Sequence, residues 1–104
     1  MDITIDPGHR QEFFDQMQKF AARHGFKIII DTTDPTGNEF LIDMNRSDVD
    51  IFGNNVLNQG KYEFGFFDHD RQRPASVSAI NAVMSDLQVS VGEVSGAVFS
   101  VVQR

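Results

Sequence analysis

The chain has 104 residues, 40% of them apolar, with ten phenylalanines, one tyrosine and no tryptophan, enough for one domain (residues 1–104) that buries roughly 65% of its unfolded surface without a metal or disulfide. Fifteen acids against nine bases leave a net charge of −6, which repels polyphosphate at long range and argues against a nucleic-acid partner. The absence of cysteine excludes a disulfide framework, thiolate catalysis and zinc-thiolate sites.

Ile3 to Asp6 alternates β-branched and polar residues and reads as a short strand. Neither a basic-then-apolar leader nor an apolar run of membrane-spanning length is present, so no membrane span is expected, with a cytoplasmic location by default and export if a signal segment was removed. Asp6-Pro7 marks a helix start, because the carboxylate accepts orphan amides and proline loses nothing in the first turn. Phe13, Met17, Phe20 and His24 then recur at helical spacing, widened by Phe14 and Ala21, and Gly25 supplies a left-handed stop.

Phe26 to Thr33 is β-branched and apolar, and the turn chemistry of "DPTGN" returns the chain into a strand from Glu39 to Asn45. "VDIFGNN" from Val49 and "YEFGFFD" from Tyr62 read as two more strands, joined by Asn- and Gly-rich "NQGK". Pro74 opens a second helix, with Val77, Ile80, Met84, Leu87 and Val91 as its expected buried stripe and Gly92 as its end. Gly96 to Val102 is a candidate last strand. This order implies an α+β, ferredoxin-like two-layer sandwich, a mostly antiparallel sheet of four to six strands with two helices on one face.

Residues two apart on a strand share a face. Phe40, Ile42 and Met44 group together, as do Val49 with Ile51, and Tyr62 with Phe64 and Phe66; these belong under the helices. The opposite parity collects Leu41, Asp43, Asp48, Asp50, Phe52, Glu63, Phe67 and His69. Between Asp31 and Asp70 the acids outnumber Arg46 and Lys61 by a local net of −7, so the negative charge belongs to the sheet and its turns.

Phe64-Gly65-Phe66 resembles the aromatic strand motif of RNA-recognition domains, on the strand before the second helix where that family keeps it. The chain departs from that motif at Tyr62, Glu63 and His69, and its first strand has no aromatic to stack a base. Stacking would also need Phe64 and Phe66 outside, which would turn Glu63 inward.

Asp48 and Asp50 with Gly53 begin like an EF-hand loop, but Phe52, Asn55 and Gln59 occupy positions where that loop needs other residues. A looser divalent-cation or small-ligand site from Asp48, Asp50 and Asp68 is the alternative reading. On a strand, Asp68 and Asp70 point away from His69, and Arg71 and Arg73 follow to neutralise them. His9, His24 and His69 lie apart, the helix serines sit on no nucleophile turn, and the glycines form no phosphate loop, so neither an enzyme nor a cofactor is indicated. Exposed Leu41, Phe52 and Phe67 among Asp43, Glu63 and His69 instead point to recognition of a protein or peptide partner, or of a second copy as a homodimer.

Overall fold

A computed structural model describes residues 1–32, 35, 37–58, 60–70, 72, 76–94 and 97–100. The elements are β1 (Asp2–Thr4), a 3-10 turn (Pro7–His9), α1 (Arg10–His24), β2 (Lys27–Thr32), β3 (Phe40–Asn45), β4 (Val49–Asn58), β5 (Lys61–Asp68), α2 (Val77–Gly92) and β6 (Val98–Ser100). One six-stranded sheet has the order β2-β3-β4-β5-β1-β6, with every pairing antiparallel. The arrangement is the ferredoxin-like α+β sandwich, both helices packing on one sheet face. Successive antiparallel pairings make β1 and β2 parallel, so α1 carries the chain across the meander to the far edge.

Local chemistry accounts for the element ends. Asp6 accepts from the Gly8 amide at 2.9 Å, capping a 3-10 turn where a continuous helix was expected, and α1 proper begins at Arg10. Gly25 ends α1 at φ 75°, a conformation that side chains with a Cβ adopt only with strain. Ser76 caps α2 by accepting from the Ala79 amide at 3.0 Å. The expected helix opener Pro74, the cations Arg71 and Arg73, Asp34 and Thr36 of the "DPTGN" turn, Gln59 and the outer residues of the last strand lie outside the described residues.

The core lies between the helices and the inner sheet face. Phe13, Met17 and Phe20 from α1 meet Ile3, Ile42, Met44, Ile51 and Tyr62, with Leu87 and Val91 from α2. Each such side chain contributes roughly 1.5–3 kcal/mol on full burial. Phe13 and Tyr62 rings sit 4.8 Å apart, as do Phe14 and Phe40.

On α2 the expected stripe is wrong at its start. Val77 is 75% exposed, Ile80 and Met84 are only partly buried, and the buried set is Val83, Leu87, Ser90 and Val91. The helix is apolar on several sides, so its periodicity left the phase of the buried stripe open.

Near its end β4 bulges: Asn54 faces Glu63, yet Asn58 faces Lys61, three intervening residues against one. Asn55, fully buried, uses its side chain in place of a ladder. Its Oδ1 accepts from the Phe40 amide at 2.6 Å and its Nδ2 donates to the Asn38 carbonyl at 2.9 Å.

Candidate interaction surface

Strand register places the outer-face residues in rows. One row runs Ile29, Asp43, Phe52, Gly65; a second runs Lys27, Asn45, Asp50, Phe67; a third runs Asp31, Leu41, Asn54, Glu63, Asp2. Phe52 is 40% exposed and Phe67 56%. A Cβ on Gly65 would lie 2.6 Å from Phe67 Cε2 and Cζ, so the Phe67 ring folds back over Gly65 into the row of Phe52. The two rings form the centre of the face, with Asp43, Asp50 and Glu63 close by. Leu41 shares the face but is half-buried rather than exposed, since it lies within a row flanked by side chains of β2 and β4.

The carboxylates at the strand ends are separately engaged. Asp48 receives two hydrogen bonds from Arg46, Nε to Oδ1 at 2.6 Å and Nη2 to Oδ2 at 3.2 Å. The Arg46 hydrogen bond, against a small burial effect, holds the Asp48 carboxyl below the usual carboxylate range. Arg46 also donates to the His24 carbonyl at 3.1 Å and lies 4.6 Å from the Phe26 ring centre, tying the β3–β4 turn to the end of α1. Asp50 Oδ1 is 2.8 Å from His69 Nδ1. Among the described residues no three His, Asp or Glu side chains converge closely enough to hold a metal ion. Asp48, Asp50 and Asp68 are brought to one end of the sheet by the register of β4 and β5, but they do not form such a group.

A groove of about 600 Å³ wraps from this face around β5 toward α2, lined in part by Phe52, Glu63, Phe66, Phe67 and Met84. Met1 and Phe64 exchange hydrogen bonds, the Phe64 amide donating to the Met1 carbonyl at 2.8 Å and the Met1 ammonium donating to the Phe64 carbonyl at 3.1 Å. The next residue of that alignment, Phe66, meets no strand on the β1 side among the described residues.

Of the aromatics of the RNA-like stretch, Phe64 is 5% exposed beneath the helices, where it cannot stack a base, and Phe66 is partly buried against the core. Burial raises the Tyr62 pKa, opposed by the charge of nearby Arg10. The Tyr62 hydroxyl and Arg10 Nε are both buried, and among the described residues neither has a partner at hydrogen-bond geometry, although Arg10 is near enough for its polar interaction with the hydroxyl to oppose the rise.

Exposed Ile29, Val56, Leu57 and Val98 were not foreseen. Ile29 was legible, since Ile28 and Ile30 on the core side force it outward; Val56 and Leu57 depend on the bulge, and Val98 on a pairing that no local signal encodes. His24 lies 3.9 Å from Asp86 and packs 4.5 Å from the Phe20 ring, a link between the helices. No helix among the described residues is long and apolar enough to cross a membrane. The chain has no significant match to a protein-family model, a curated protein or a solved structure.

Proposed function

We propose that this domain is a non-enzymatic interaction module that receives a basic, partly apolar protein or peptide segment on its outer sheet face, centred on Phe52 and Phe67. The observation that carries the reading is the placement of two exposed phenylalanines in one cross-strand neighbourhood, on the sheet face that neither helix covers. Apolar side chains grouped on a soluble surface are costly to leave in water and favour a partner. The local excess of carboxylates selects that partner's charge through long-range attraction. The groove beside β5 extends the same surface, and an extended segment lying there would gain backbone hydrogen bonds at Phe66 as well as side-chain contacts.

The test is an amide NMR titration with a capped peptide alternating lysine and valine. Saturable, salt-sensitive shifts should cluster at Asp43, Phe52 and Glu63 to His69, and Phe52→Ser with Phe67→Ser should weaken binding at least tenfold. Shifts scattered over the helices, or equal binding by an alternating glutamate and valine peptide, would overturn the reading.

A further inference from the structure

We infer that the free edge of β2 pairs with the β2 of a second copy, antiparallel and centred on Ile29. The sheet order ends at β2, which pairs with β3 on one side and with no described strand on the other. The edge is six residues long, Lys27 to Thr32, without proline or bulge, and such edges are templates for pairing unless protected. Ile29 at its middle is 56% exposed.

The pattern of this edge complements itself. Antiparallel pairing about Ile29 brings Ile29 against its copy, Ile28 against Ile30, and Lys27 against Asp31. Lys27, Ile29 and Asp31 all lie on the outer face, opposite Asn45, Asp43 and Leu41 of β3. Each Lys27 therefore meets the Asp31 of the other copy across the new seam, and two-fold symmetry makes that contact twice. Both are exposed, and among the described residues neither is spent on an ion pair within the chain. On the inner side, Ile28 and Ile30 are only partly buried by their own chain. Beside them a groove of about 530 Å³, lined in part by Arg10, Phe14, Gln18, Ile30 and Phe40, leaves room for the apposed isoleucine.

A second copy fits better than an unrelated strand because the apolar residue sits at the symmetry centre with opposite charges equidistant from it. Register is also specified, since a one-residue slip would turn the isoleucines to the wrong faces. The seam is small, so dissociation on the order of micromolar is expected. It is separate from the Phe52 and Phe67 surface, whose reading does not depend on it.

Sedimentation velocity over a concentration series tests the pairing. The wild-type chain should pass from monomer to dimer, and Lys27→Asp and Asp31→Lys should each weaken the dimer about tenfold, because each places like charges opposite one another twice. Combining the two exchanges should restore the dimer. A general charge effect would instead move the single variants in opposite directions, since one raises and the other lowers the net negative charge. Hydrogen exchange on the wild-type protein gives a variant-free check: the amides of Lys27 to Thr32 should become more protected as concentration rises. A chain that stays monomeric throughout, a dimer indifferent to both single exchanges, or a double exchange that fails to recover would overturn the proposal.

Discussion

Two glycines in adjacent strands give the sharpest test of how the sheet is packed. A Cβ at Gly53 would lie 2.5 Å from Phe64 Cδ1 and closer still to Cε1, and one at Gly65 would lie 2.6 Å from Phe67. The local overlaps are alike, but their surroundings are not. Phe64 is 5% exposed, held against Phe13 at 6.4 Å between ring centres, and has nowhere to go. Phe67 is 56% exposed and can swing into solvent. Gly53→Ala should therefore cost about 1–3 kcal/mol, the range for overpacking a filled core, seen as a urea midpoint lowered by about 1 M or more. Gly65→Ala should cost less than about 1 kcal/mol, since the ring gives way and alanine restricts the unfolded chain. It should still weaken peptide binding, because Phe67 leaves the row of Phe52. In a double-mutant cycle, Phe64→Leu should reduce the cost of Gly53→Ala by about 1 kcal/mol or more. Equal costs at the two glycines, or the reverse order, would refute this account.

Among the described residues the buried Tyr62 hydroxyl has no partner at hydrogen-bond geometry, so Tyr62→Phe should be neutral or stabilising by about 1 kcal/mol in urea unfolding; a loss of that size would reveal a partner. As the only tyrosine, Tyr62 can be followed by tyrosinate absorbance. Its folded pKa is raised above 10.0, so the associated stability is fully present below pH 10.0 and declines as pH rises toward the folded value. Asp48 behaves oppositely. Its folded pKa is depressed below 3.8, so its contribution is present above that value and disappears as pH falls through the folded pKa. Because its side chain is 42% exposed, Asp48→Asn should cost less than about 1 kcal/mol near neutrality, shrinking to nothing in acid. Asn55→Ala should cost about 2–4 kcal/mol, measured by thermal or urea unfolding, because it strands the Phe40 amide and Asn38 carbonyl.

Legibility in the sequence followed the strength of periodic signals. The buried stripe of α1 could be named because Phe13, Met17 and Phe20 are large and its other face is polar, whereas α2 carries valines on several sides and its phase slipped. Strand parity separated Tyr62 and Phe64 from Phe52 and Phe67 because alternation has only two answers. It could not indicate that Leu41 is half-covered, since that depends on which strands flank β3. Nor could it foresee that Arg46 takes Asp48 while His69 takes Asp50, a division that separates carboxylates whose spacing suggested a cation site. The role of Asn55 escaped for a similar reason: an asparagine at the end of a strand pattern carries no signal of burial, and only the tertiary approach of the segment at Asn38 to Phe40 turns it into a buried clamp.

Pairing through β2 would also change how the aromatic surface works. Joining two outer faces at Ile29 places the symmetry axis perpendicular to the sheet, so both copies of the Phe52 and Phe67 surface point the same way. Five strand spacings separate one β4 from the other across the seam, a distance of about 24 Å at the usual interstrand separation. Two modest surfaces at that separation favour a partner that engages both, because the second contact forms at high effective concentration. Two lysine- and valine-alternating segments joined by a flexible linker able to span that distance should bind the wild-type chain at least tenfold tighter than one segment alone. The advantage should vanish in Lys27→Asp while single-segment affinity is kept. An advantage that survives the loss of the dimer would separate the two surfaces and show that they act independently.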